Sequence, residues 1–387
     1  MDFTFSEEQQ AAVEAARAVF APVAPDSVPS PSLTSGAVAE DFDRALWSKA
    51  ADADLLSLLL TPEHGGAGLD AIALCLVLRE SAKVLARIPL LEHSAAATTV
   101  EVYGGAELKR EILPGAADGG LALTVAAAGR SGHDPAELAV TARQEGAAGA
   151  GGWVLDGVQT AVPWAWGADR ILVPAHTGDG GTVLAVLPGP ARGAEPTAGL
   201  TFTEQISTTG ERLAELRLDG VRLDDRHLIT DTAAWPRLHD LLVTGTCALA
   251  LGLGEGVLRM TSDYAGKREQ FGHPIATFQA VAVQAADRYI DLRAMEVTLW
   301  QAAWRLSTGA GGALPVAGDV AVAKSWASDG VRRVVQTAQH LHGGFGADTD
   351  YPLHRYHAWA KHLELSLGPA AAHEEALGDL LAAHPLG

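Results

Sequence analysis

Tyr264-Ala265-Gly266-Lys267-Arg268-Glu269-Gln270-Phe271-Gly272-His273-Pro274-Ile275-Ala276-Thr277-Phe278-Gln279 decides how this chain is read. It is a short break between two long helical patterns, Ala233–Gly266 and Phe278–Leu306. Gly272 and Pro274 cannot continue a helix, and the next one is expected to start at about Thr277. Further out lie Val316–Leu341, Leu353–Leu367 and Ala370–Ala382. Long helices with short connections pack as an antiparallel bundle. Gly245, Gly252, Gly254 and Gly256 cost helix propensity inside the first of these helices, which predicts close packing or ligand approach there.

Working back towards the N-terminus, the period changes. Leu121–Ala128, Trp153–Val162, Arg170–His176, Thr182–Leu187, Leu200–Ile206 and Leu213–Leu218 are short β-type runs, with turns at Asp156-Gly157, Asp179-Gly180-Gly181 and Asp219-Gly220. Strands so closely spaced, without helices between them, predict a small barrel or sandwich. Before them the chain reads helical again. Ser6 precedes Glu7, Glu8 and QQAAVEAARAVF as a candidate N-cap, and Pro22, Pro25, Pro29 and Pro31 end that helix. Further helices are expected at Phe42–Leu60, Ile72–Leu85 and near Glu107–Ile112, with the Gly-rich turn TPEHGGAGLD between the first two. The fold class is therefore α+β, in the order residues 1–117 helical, 118–228 β, and 229–387 helical bundle.

Composition narrows the partners. A net charge of −19 argues against nucleic acid and against an anionic membrane surface. Cys75 and Cys247 sit in apolar runs and read as buried thiols, and no His/Cys spacing commits to a metal. MDFTFSEEQQ has no basic region followed by an apolar one, and the apolar run Leu241–Gly254 is short for a membrane span, so a cytoplasmic protein is expected. There is no GxGxxG opening a βαβ unit and no P-loop. His133-Asp134-Pro135 reads as a surface turn, Trp300 and Trp304 as bundle core, Trp164 and Trp166 as core packing in the β region, and Arg332-Arg333 as a solvated or interface pair.

The opening stretch resembles the YxxxRxQFGxPIxxFQ signature of the acyl-CoA dehydrogenases. His340-Leu341-His342-Gly343-Gly344-Phe345-Gly346, continuing through Tyr351-Pro352 to Arg355, resembles that family's QxxGGxGxxxxYPxxR segment. The helix–β–helix order and the PEHGGAG loop match as well, so the resemblance covers the whole chain. It implies FAD at a subunit interface, an acyl-CoA or acyl-carrier thioester as substrate, and α,β-desaturation as the reaction. Arg268 matches the arginine that reaches the pyrophosphate of a neighbour's FAD, and a planar guanidinium suits that role. Phe271 would pack near the flavin or ribityl chain, Gly343 and Gly344 would let the backbone approach phosphates, and Gln279 completes the signature. His340 replaces the family's Gln and still offers a ring N–H. Thr124 survives as a flavin contact in a loop that is otherwise altered. Taken singly, Arg268 reads equally as a helix-end cation and the glycine pair as a C-cap.

The departures from the family concern the base. The usual glutamate position falls on Leu367, and the alternative one, on the helix leading into the arginine motif, falls on Leu242. Neither accepts a proton. Glu364 needs a shifted register to serve, and Asp240 lies about 200° around the helix from Leu242. The residues against the isoalloxazine, an aromatic and a Ser or Thr in the family, are Ala161 and Pro163 here. Such a pattern resembles the degenerate subunit of heteromeric bacterial acyl-CoA dehydrogenases, which completes a homologous partner's FAD site. Two alternatives remain open: a self-sufficient homo-oligomer (dimer or tetramer) with a relocated base, or a non-redox thioester-binding or scaffold protein.

Overall fold

The computed structural model describes residues 4–25, 28, 31, 34–39, 41–131, 138–145, 152–190 and 197–385. Pro29 and the His133-Asp134-Pro135 turn lie outside the described residues. The chain forms two compact units, each assembled from separate segments. The helical unit takes Met1–Ala37, Ala71–Ala86 and Val243–Gly387; the β unit takes Val38–Asp70 and Arg87–Leu242.

In the helical unit, α1 (Glu7–Phe20) starts at a capping box: Ser6 Oγ accepts from Gln9 N–H at 3.2 Å, and Gln9 Oε1 accepts from Ser6 N–H at 3.0 Å. It packs on α3 (Ala71–Ala82), almost wholly buried. α6 (Ala234–Lys267) belongs to this unit from Val243 onward. α7 (Gln279–Thr308), α8 (Val316–His342), α9 (Leu353–Leu365) and α10 (Ala370–Ala383) follow, with α8 packing against the other three. The glycines of α6 are explained by packing. A Cβ at Gly252 would stand 2.0 Å from the Arg79 carbonyl, so helix backbone approaches helix backbone where only hydrogen fits. Cys75 and Cys247 are buried free thiols, and Trp300 is buried in the core.

In the β unit, α2 (Arg44–Asp52), α4 (Leu90–Tyr103) and α5 (Ala106–Ala117) accompany one mixed sheet. Its strands are β1 (Leu123–Val125), β2 (Val140–Gln144), β3 (Trp153–Val162), β4 (Arg170–Thr177), β5 (Thr182–Pro188), β6 (Leu200–Ile206), β7 (Arg212–Leu223) and β8 (Leu228–Ile229). The order is β6-β7-β3-β2-β4-β5-β8, with β1 beside β4. The β1–β4 and β2–β4 pairs are parallel and the others antiparallel. Alternating residues such as Leu155, Ile171, Val173, Leu187, Leu216 and Val221 fill one apolar cluster.

Three departures from the sequence reading have physical causes. The helix expected over Phe42–Leu60 stops at Asp52, because Asp54 turns left-handed (φ 57°) and the leucines beyond are buried without helical periodicity. α4 shows no amphipathic pattern because it is buried on nearly all sides, from Leu90 to Glu101. The apolar stretch at Leu241–Gly254 is part of a helix that meets the length and apolarity of a membrane span, yet 83% of its most apolar window is buried inside the protein, as in a core helix.

Candidate functional site

The segment that opened the sequence reading is an arm. α6 ends at Lys267, and β9 (Glu269–Gln270) pairs with β10 (His273–Pro274) in a two-residue hairpin. Phe271 (φ 55°) and Gly272 (φ 79°) form its tip, and both φ values are positive, as a type I′ turn requires. Gly takes that conformation freely, whereas Phe pays about 1 kcal/mol or more. Phe271 is also 90% exposed. The hairpin base is pinned by Arg268 N–H to the Tyr264 carbonyl and Ile275 N–H to the Arg268 carbonyl, both 2.8 Å. Arg268 and Gln279 are exposed, as is most of the first half of α7.

Behind the arm lies a cavity of about 720 Å³ within the helical unit. Lys83, Arg259, Lys267 and Arg268 line it together with Tyr264, Phe345, Tyr351 and Tyr356, and Asp263 is the one carboxylate in that wall among the described residues. The aromatic wall joins the two sequence motifs. Tyr264 stacks on His342 at 4.2 Å and lies nearly parallel to Phe345 at 5.6 Å. Phe345 meets Tyr351 at 4.4 Å. His342 Nδ1–H donates to the Ala338 carbonyl at 2.8 Å, which leaves Nε2 to accept from the Tyr351 hydroxyl at 3.1 Å. Burial lowers the His342 pKa, so the ring stays neutral. Gly343 (φ 59°) ends α8, and neither it nor Gly344 has an atom near the place a Cβ would take, which leaves an open backbone shelf. His340 is exposed on the last turn of α8. Clustered cations beside flat rings fit the phosphates and heterocycle of a dinucleotide such as FAD.

None of the base candidates is among the residues that line this cavity. Leu367 occupies a left-handed turn (φ 57°) after α9. Lys324, absent from the sequence reading, is fully buried and braces that turn. Its ammonium donates to Ser328 Oγ at 2.7 Å and to the Leu363 and Glu364 carbonyls at 3.1 Å each. Burial pushes its pKa down to about 8. His373 Nε2–H donates to the Leu367 carbonyl at 2.8 Å. The Glu364 carboxylate is held by Lys361 at 2.6 Å and lies 3.8 Å from Arg332. Arg333, in turn, pairs with Asp291 at 2.9 Å. Leu242 is buried in the β unit, and burial pushes the Asp240 carboxyl up to about 6.

Thr124 also lies in the β unit, fully buried. Trp166 donates to the Leu213 carbonyl at 3.0 Å, whereas Trp164 sits left-handed (φ 56°) with its indole on the Glu92 carboxylate. Sequence patterning singled out Arg268, Phe271 and the glycine pair. It missed Arg259, Lys267 and Lys83, which are unremarkable charged residues until the helices bring them to one wall. Among the described residues no cluster of metal-ligating side chains occurs.

Comparison with known proteins agrees with this geometry. Residues 6–120 match the acyl-CoA dehydrogenase N-terminal domain and residues 244–381 the C-terminal domain. Acyl-CoA dehydrogenase FadE27 of Mycobacterium tuberculosis is 37% identical over 352 residues, which cover 89% of this chain and 90% of that protein. The crystal structure of the ChsE4-ChsE5 complex from Mycobacterium tuberculosis superposes with a TM-score of 0.87 at 34% identity, covering 100% of both chains. A variant of the Tcur3481-Tcur3483 steroid ACAD gives a TM-score of 0.86 at 37% identity, covering 97% of this chain and 98% of that one. The two sequence motifs, the helix–sheet–helix fold and these matches have one account: the chain belongs to the acyl-CoA dehydrogenase family of FAD-dependent oxidoreductases.

Proposed function

We propose that this chain is a cytoplasmic subunit of a heteromeric acyl-CoA dehydrogenase, and that it completes the FAD site of a homologous partner subunit which supplies the base. The observation that carries this reading is the contrast between two sets of residues. Arg268, Phe271, Gln279, His340, Gly343 and Gly344 are presented at the surface, while the two positions at which the resemblance expects a proton acceptor hold Leu367 and Leu242. When bound, FAD supplies the two-electron oxidant for α,β-desaturation of an acyl thioester. This chain's part is to hold it. Arg268 would hold the pyrophosphate with its fork, Lys267 and Arg259 would add positive charge in the cavity, and Phe271 at the hairpin tip would pack near the flavin or ribityl chain. The ChsE4-ChsE5 complex and the Tcur3481-Tcur3483 enzyme each carry a two-part name, which supports a two-chain assembly here and an acyl-CoA substrate of related type.

The test is to purify the chain alone and together with a homologous subunit that carries the glutamate. We expect turnover of an acyl-CoA only from the pair. Arg268→Ala in the pair should weaken FAD retention ten- to a hundredfold, the worth of one charge-assisted bond of about 1.5–3 kcal/mol. A yellow protein that reduces dye from this chain alone would sink the reading.

One observation favours a second reading, a homo-oligomer that uses Asp240 as its base: burial brings that carboxyl to about 6, near the range of working bases. Asp240→Asn should then abolish turnover by the isolated chain; unchanged turnover removes this option.

A further inference from the structure

The β unit carries a second set of polar atoms, on the segments where the resemblance puts the isoalloxazine contacts, and these atoms already bond one another. The Thr124 hydroxyl donates to the Pro163 carbonyl at 2.7 Å. Ala161 N–H donates to Gln205 Oε1 at 2.8 Å, and Gln205 Nε2–H donates to the Thr160 hydroxyl at 3.0 Å. The side chain of Gln205 reaches these residues from β6, across β7, at the point where the β3–β7 register shifts between Gln159 and Val162. One residue past Pro163, the Trp164 indole faces the Glu92 carboxyl, and its ring stands edge-on to Phe42 at 6.4 Å. Ala161 (φ 49°) and Trp164 (φ 56°) are both non-glycine residues in left-handed backbone. Left-handed backbone is unfavourable for a residue with a Cβ, and the bond from Ala161 N–H to Gln205 and the packing of Trp164 on Glu92 and Phe42 hold the two residues there.

A flavin ring needs free N–H and hydroxyl groups along its edge. Here a ring could enter only if these groups left their present partners, and each part-buried partner would then lose its hydrogen bond. We infer that Gln205 and the Glu92–Trp164 pair lock this chain's own cradle against a flavin ring, so that the chain gives to a flavin site without owning one. The inference rests on the proposed function and names the residues that make it one-sided.

Riboflavin is the probe, because it has the ring but neither pyrophosphate nor adenosine and so is blind to Arg268. Titrated into the purified chain and followed by quenching of its fluorescence, it should bind the Gln205→Ala/Trp164→Gly double variant at least tenfold more tightly than the unaltered chain. Gln205→Glu keeps an acceptor for Ala161 N–H and should behave as the unaltered chain does. Circular dichroism confirms that each variant is folded before titration; should the double variant unfold, Gln205→Ala alone is titrated, with a threefold gain expected. Equal riboflavin binding by the unaltered and unlocked chains overturns the lock. The proposed function fails on a different result, FAD retention by the two-subunit complex that ignores Arg268→Ala.

Discussion

Tyr264 opens the arginine motif, yet its ring is used elsewhere, stacked between His342 and Phe345 of the glycine motif. The two motifs are thus one packed object, and this explains why each is worth little as an isolated match. Tyr264→Ala removes a stacked aromatic pair worth about 0.5–1.5 kcal/mol beyond its buried area. It should lower the melting temperature by several degrees and weaken FAD retention in a complex, because the cavity wall loses its plane. Tyr264→Phe should keep both, and thermal melts with flavin-release assays on the two variants check it. Arg268 is the opposite case. It is exposed and packs little, so Arg268→Lys should leave the melting temperature unchanged while losing the bidentate fork and most of the FAD affinity. Both residues were legible in the linear text. Lys324, Gln205 and Glu92 were not, since a lysine in AVAKSWA or a glutamine in FTEQI has no local pattern that announces burial or a distant partner.

The turn after α9, where the resemblance expects the base, is braced from two sides. Lys324 and Ser328 cap the last carbonyls of α9, and His373 holds the next turn, although the residue presented there is Leu367. A buried cation at a helix C-terminus gains from the helix dipole and loses from desolvation. The desolvation dominates, since the pKa falls from 10.5 to about 8. Between pH 8 and 10.5 the unfolded chain therefore binds a proton that the folded one has released, and stability rises with pH across that window by up to about 1.4 kcal/mol per unit. Nearby Cys247 opposes this above pH 9, because its thiol, pushed from 9.0 up to about 12 by burial, keeps in the folded chain a proton that the unfolded chain loses, so the Lys324 slope is read between pH 8 and 9; His362, pushed down to about 4, stays neutral there. Lys324→Met should cost roughly 2–4 kcal/mol at pH 7 by orphaning the carbonyls, and should abolish the pH slope relative to the unaltered protein. Urea denaturation at pH 7, 8 and 9 measures both; a rise between pH 8 and 9 that survives the substitution refutes the assignment. α6 makes a second claim of this kind. Gly252→Ala would push a methyl into the Arg79 carbonyl and should destabilise by about 1–3 kcal/mol, although alanine is the better helix former. The long helices were readable from periodicity because each has one buried stripe. α4, buried nearly all round, and the mixed pairing of β1 and β2 on β4 were not, because neither leaves a periodic trace in its own residues.

The largest question the molecule poses is why its most specific segment is also its least packed. Phe271 is 90% exposed, and behind it α7 shows Val283, Ile290 and Val297 at 51%, 64% and 51% exposure, one residue every seven along one face. Tyr289 adds a further 59%-exposed ring beside Ile290. Burying one such side chain is worth about 1.5–3 kcal/mol, so this stripe and the hairpin tip together forgo several kcal/mol in the isolated chain. A net charge of −19 keeps the free chain soluble in spite of the stripe, but it also sets a condition on a partner, which must either carry compensating cations or dock through the apolar face alone. Ile290→Asp should leave the melting temperature of the isolated chain within about 1 °C, because the site is open to water and surface changes fall within about 0.5 kcal/mol. The same change should break the two-subunit complex, because a carboxylate would then be desolvated at the interface. Light scattering after size-exclusion chromatography, run with and without the substitution, reads the assembly directly. Loss of the complex together with loss of FAD would tie the exposed stripe to the flavin site, since the arm that carries Arg268 runs straight into α7. An intact complex would place the partner on some other face, and the exposed tip of the arm would be left without a purpose.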